Sequence, residues 1–177
     1  MKPQRSTVLA AGLVPLLSLA AIAPASAASD ACIVGTWQPI GNAAAEWMQR
    51  NAPGIRVAVE QQQGALEFRA DGSYAAAGSA TAKASSENMS ATTRDTRFQA
   101  QGTWSTDGGR LTLRPSRESM SGTMKIQGPN GRTIEMPMPK GPAQVQEMQY
   151  ACGAAELETR MAIRNATPIV QRYKRLR

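Results

Sequence analysis

Two cysteines, nine methionines and not one histidine set the chemistry open to this 177-residue chain. Without imidazole there is no Ser-His-Asp or Cys-His nucleophile, no H-E-x-x-H zinc site and no histidine proton relay. No G-x-S-x-G elbow, phosphate-binding loop or G-x-G-x-x-G turn occurs either. Glu67, Asp71, Asp95 and Asp107 fall on strand faces or turns, where acids have ordinary structural uses. Two carboxylates meeting in space, as in glycoside hydrolysis, are the remaining enzymatic route. The expectation is a protein without catalytic residues, metal or cofactor.

Cys32 and Cys152 are an even pair, which in an oxidising compartment is most simply a disulfide. Such a bridge would close a loop of about 120 residues and stabilise by about 4–5 kcal/mol on the loop-entropy model. Two free thiols, or part of a metal site, are the alternatives. Met120, Met124, Met136 and Met138 fall in adjacent predicted strands and can share one face. Thioethers alone suit Cu(I), but methionine is also the adaptable filler of cores and apolar pockets. Packing is the preferred reading. A bound apolar molecule would then lie against Met120, Met124, Met136 and Met138 together with Phe98, Leu111 and Leu113.

The compartment is read from the N-terminus. Lys2 and Arg5 precede an apolar stretch from Val8 to Ile22, interrupted by Pro15, and Ala25-Ser26-Ala27 supplies small-x-small cleavage residues. A transmembrane anchor is the competing reading, but the stretch is short and lacks a following positive stop. Ser29-Asp30-Ala31 before Cys32 is a poor lipid-attachment box. Residues 1–27 are therefore expected to be a cleaved signal peptide and 28–177 a single periplasmic or secreted domain. Its size, about 150 residues, suffices for a core without metal. The +7 formal charge is scattered. Arg172, Lys174, Arg175 and Arg177 cluster at the C-terminus and could contact an anionic envelope surface. Tyr173 is the one aromatic residue in this cluster, short of the aromatic interleaving that nucleic-acid platforms use, so no nucleic-acid partner is expected.

The elements that must position these residues alternate with period two. Ile55, Val57 and Val59, then Leu66, Phe68 and Ala70, and Tyr74 to Ala84 each hold one face of a run. Phe98, Ala100, Gly102 and Trp104 do the same, as do Leu111 and Leu113, Met120 to Ile126, Ile134 to Met138, Met148 to Cys152, and Leu157 to Ile163. Asp71-Gly72, Asp107-Gly108-Gly109 and Asn130-Gly131 supply hairpin turns. Pro137, Pro139 and Pro142 end one strand or confine it to an edge. Asn42 to Asn51 reads as the one short helix. The Ala-, Ser- and Thr-rich segment Ser79 to Asp95 reads as a loop at its centre. An all-β, antiparallel up-and-down barrel of about eight to ten strands is expected, with a two-sheet sandwich as the competitor.

Cys32-Ile33-Val34-Gly35-Thr36-Trp37 opens this series, followed by Gly102-Thr103-Trp104, Tyr150-x-Cys152 and Tyr173-Lys174-Arg175. The ordered set over residues 32–177 resembles the lipocalin-like, calycin-type barrels of exported bacterial proteins. The resemblance implies that Trp37 plugs the narrow end of the barrel with Arg175 across its ring. Gly35 would then allow close backbone passage. It also implies an interior that binds a small hydrophobic molecule. A protein-binding envelope module, such as an inhibitor of an envelope-attacking enzyme, or a structural envelope protein with a filled core, are the alternatives.

Overall fold

The computed structural model describes residues 30–139 and 142–176, so the expected signal peptide and Arg177 lie outside the described residues. Nine strands and one helix follow in order: β1 (Gly35–Ile40), α1 (Ala43–Asn51), β2 (Arg56–Phe68), β3 (Ser73–Ser85) and β4 (Ser90–Asp107). Then come β5 (Arg110–Gln127), β6 (Thr133–Pro137), β7 (Gln146–Cys152), β8 (Glu156–Ile163) and β9 (Ala166–Arg175). All pairings are antiparallel. β1 pairs with β2 on one side and β9 on the other, β4 pairs with β5, and β5 pairs with β7, which closes eight strands into a barrel. Closure satisfies the backbone groups that sheet edges would expose.

β6 is the ninth strand and stands outside the closed ring. β5 is 18 residues long; Arg110–Leu113 pairs with β7, whereas Thr123–Gln127 pairs with β6. The far halves of β2, β3, β4 and β5, with β6 as the edge, therefore form a five-stranded extension above the barrel. That edge strand ends at Pro137, whose missing N–H costs nothing there.

Small residues and bulges let the strands bend. Gly102 faces Pro115 across a register shift between β4 and β5, and a Cβ on Gly102 would lie 2.1 Å from the Arg114 carbonyl oxygen. Only glycine permits that approach. A second shift follows Arg94, where Asp95 takes φ 51 and Gly122 takes φ 127 with its backbone close against Thr96 and Arg94. The extension departs from the barrel at this kink. The segment Ser79 to Asp95 turns at its centre, as expected, but only over the four residues Ser86–Met89, closed by Ser86 N–H donating to the Met89 carbonyl at 2.8 Å; the residues on either side are strand. Its alanines and threonines supply an alternating inner face and full ladder pairing, which overrides weak strand propensity.

The helix forms where expected. The Asn42 side chain caps it by accepting from Ala45 N–H at 2.8 Å. α1 packs across β2 and β9, with Trp47 Nε1 donating to the Thr167 carbonyl at 2.6 Å and Gln49 Nε2 to the Val57 carbonyl at 2.7 Å.

Candidate functional site

The barrel has one sealed end and one open end. The sealed end is built on Trp37, Phe68, Leu111, Leu157 and Ile33, each at most 1% exposed. Burial of side chains this large is worth about 1.5–3 kcal/mol each. Trp104 meets the Phe68 ring edge-on at 5.3 Å and donates Nε1 to the Arg69 carbonyl at 3.1 Å. Trp37 donates Nε1 to the Ile33 carbonyl at 2.7 Å, so the one polar atom of the plug is satisfied.

Arg175 is the cross-strand partner of Trp37 in the β1–β9 ladder, and its guanidinium carbon lies 4.1 Å from the indole centroid. Its three nitrogens donate to the carbonyls of Ala154 (2.8 Å), Val34 (2.7 Å) and Cys32 (2.5 Å). The turn at residues 30–33 is thereby drawn beneath the barrel floor. The Cys32–Cys152 disulfide fastens the same turn to β7, and Tyr150 Oη donates to Asp30 Oδ2 at 3.0 Å. Burial, followed by the neighbouring Asp30, pushes the Tyr150 phenol above its usual range.

Above this floor lies a cavity of about 390 Å³, within the size range of small-molecule sites. Leu66, Phe98, Ala100, Leu111, Leu113 and Met148 supply apolar wall. Small residues on β3, Ala76, Gly78 and Ala80, leave the width that large side chains would fill. Hydroxyl-bearing residues also border it, among them Tyr74, Thr159 and Tyr173. Tyr173 is hydrogen-bonded to Thr159, and burial holds its phenol above the ordinary range. At the rim, Asn42 Nδ2 donates to Gln62 Oε1 at 2.7 Å, and Gln171 Nε2 donates to the Ile40 carbonyl at 3.0 Å. The rim is thus tied to the start of α1. Thr96 also borders the cavity, with its Oγ1 buried and without a hydrogen-bond partner among the described residues.

The structure places the residues singled out in the sequence as follows. Phe98, Leu111 and Leu113 line the cavity. Met120 lies opposite Phe98 in the β4–β5 ladder, one step above. Met124 and Met136 face each other across β5 and β6 on the extension, in a row with Val59, Ala82 and Thr93. A second row runs Val57, Ala84, Ala91, Ile126 and Ile134. Met138 follows β6, half-buried, with its N–H donated to the Gly122 carbonyl at 3.0 Å. The methionine face is therefore an apolar shelf above the mouth, and Met148, with Tyr74 and Tyr173, takes the place in the wall that the sequence suggested for it. Alternation along β3, β7 and β9 could have identified these, since each shares a face with an already recognised residue.

Gly35 opens β1 at φ 142, and Gly102 and Trp104 hold the floor of β4. Arg172 and Lys174 point outward, opposite Glu158 and Glu156 of β8, while Arg175 is engaged with Trp37 and the three carbonyls. Glu67 pairs with Arg69 at 2.7 Å on the outer surface, and Asp71 accepts from Ser73 in the β2–β3 turn. Among the described residues no group of three or more acidic or cysteine side chains could hold a metal ion. None of their helices is long and apolar enough to cross a membrane. Exposed barrel residues such as Gln99, Gln101, Arg110, Glu147 and Arg160 are polar, the reverse of a lipid-facing band. No family model, curated protein or solved structure matches the chain.

Proposed function

We propose that this protein is an exported, non-enzymatic, lipocalin-like barrel that holds a small apolar molecule in its interior. The observation that carries the reading is the cavity itself: about 390 Å³, apolar-walled, sealed beneath by the Trp37 plug. Burying an apolar guest there would yield about 25 cal/mol for each Å² removed from water. The disulfide supports an oxidising compartment, and with the N-terminal pattern of Lys2 to Ala27 it supports periplasmic or secreted localisation. The Trp37–Arg175 pair supports the lipocalin-like assignment.

A second reading, a protein-binding envelope module, draws on the exposed side chains of Ile134 and Met136 on β6, 52% and 37% accessible. Its filled-core form is disfavoured by the cavity. Native mass spectrometry of protein purified from its own compartment tests the first reading. The expected result is one bound molecule per chain that organic extraction removes. Ligand-free protein that also takes up no apolar compound would contradict it.

A further inference from the structure

The wall of the barrel is incomplete along β5. Between its ladder with β7, which ends at Leu113, and its ladder with β6, which begins at Thr123, this side of β5 has no strand partner among the described residues. Glu118 stands in that stretch. It faces Ala100 across the β4–β5 ladder, and residues opposite one another share a face of the sheet, so Glu118 sits on the cavity side of β5 while remaining exposed to solvent through the gap. Both residues border the cavity. Glu118 is the formal charge that the described residues bring to the lining; every lysine and arginine described lies elsewhere. Tyr74, 4% exposed, borders the same space, and the Glu118 charge adds to burial in raising its phenol.

From this placement we infer that the site selects apolar molecules carrying a cationic group, an alkylamine type of ligand, with the ammonium at Glu118 and the apolar body against Phe98 and Leu113. The inference rests on the cavity being a ligand site. A carboxylate-bearing chain such as a fatty acid would bring like charge to Glu118 at the gap, whereas an ammonium there keeps both water and an ion-pair partner. Tyr74 offers its hydroxyl to the same head group. The mature chain is basic, so its overall field favours anions, and the preference for a cation must come from the local carboxylate.

The test is displacement of a neutral fluorescent probe, N-phenylnaphthylamine, by an alkylamine, an alkyl alcohol and an alkyl carboxylate of equal chain length at neutral pH. The amine is expected to displace the probe best. Glu118→Gln is expected to lower amine affinity by about fivefold, the scale of a partly solvated ion pair, and to leave the alcohol unchanged. Glu147→Gln, an outer-face carboxylate exposed beside Arg110, is expected to change neither. Equal affinity for amine and carboxylate, or an amine preference that survives Glu118→Gln or is lost equally in Glu147→Gln, would overturn the inference while leaving the cavity reading intact. Failure of the probe and all three compounds to bind would overturn that reading and the inference with it.

Discussion

Arg175 and Trp37 are ladder partners whose side chains stack, guanidinium over indole at 4.1 Å, on the floor of the barrel. One residue comes from the first strand and the other from the last, so the contact forms only when the barrel closes. The same guanidinium collects three carbonyls from two turns, leaving none of its nitrogens idle. Replacing Arg175 by Met is expected to cost about 2–4 kcal/mol, the sum of a partly desolvated cation–π contact and charged hydrogen bonds. Thermal denaturation should show a melting point lower by about 5–15 °C. Arg175→Lys should recover less than half, because an ammonium cannot reach three carbonyls in one plane.

The disulfide spans a sequence separation of 120 and ties the floor turn to β7. Cys32→Ser with Cys152→Ser is expected to lower stability by about 4–5 kcal/mol on the loop-entropy model. Urea denaturation measures the loss. Intact mass should rise by two protons on reduction, and no rise would remove the bridge.

Gly102 has no room for a side chain, since a Cβ would press into the Arg114 carbonyl at 2.1 Å. Gly102→Ala should destabilise by more than about 4 kcal/mol or prevent folding. Gly128→Ala, whose nearest neighbour would be at 3.9 Å, is the comparison and should stay within about 0.5 kcal/mol of the parent. Urea midpoints of the two variants decide the matter.

These floor residues were legible in the sequence because Gly-x-Trp, the hairpin dipeptides and period-two alternation are local signals. Trp37, Trp104, Leu111 and Leu113 each declared their face within their own strand. What could not be read was partnership at a distance. Met124 and Met136 alternate just as Phe98 and Leu113 do, yet β5 changes partner from β7 to β6 along its length, and this puts the methionines on the shelf above the mouth. Between Ser79 and Asp95 composition marked the central turn, but not its shortness: the strands reach to Ser85 and restart at Ser90 because the ladder between them pairs alanine and threonine that locally fit a loop. Glu118 gave no signal, since its place on the cavity side depends on the register shift between Pro115 and Arg117.

Thr96 carries a buried hydroxyl without a hydrogen-bond partner among the described residues. Thr96→Val keeps the shape and removes the stranded polar group, so stability should be unchanged or rise by up to about 1 kcal/mol. A loss above about 1 kcal/mol in urea denaturation would show that the hydroxyl is engaged.

Tyr74, Tyr150 and Tyr173 all have phenols raised above the ordinary value of about 10, with burial as the leading cause. The folded chain therefore holds these protons where the unfolded chain has released them. Their contribution is fully present below about pH 10 and is lost as pH rises through the folded values. Ultraviolet titration should show phenolate appearing later than in the urea-unfolded chain, with stability falling over the same alkaline interval. Coincident titration of folded and unfolded chains would contradict the buried placement.

Whether the interior receives an apolar guest is measured by N-phenylnaphthylamine fluorescence with the extracted protein and with Ala100→Trp. Ala100 borders the cavity, so an indole there should fill it. Saturable binding of one probe per chain is expected in the parent, and loss of that binding in Ala100→Trp with the barrel still folded by circular dichroism. Absence of binding in the parent, or equal binding in the filled variant, would contradict an interior guest.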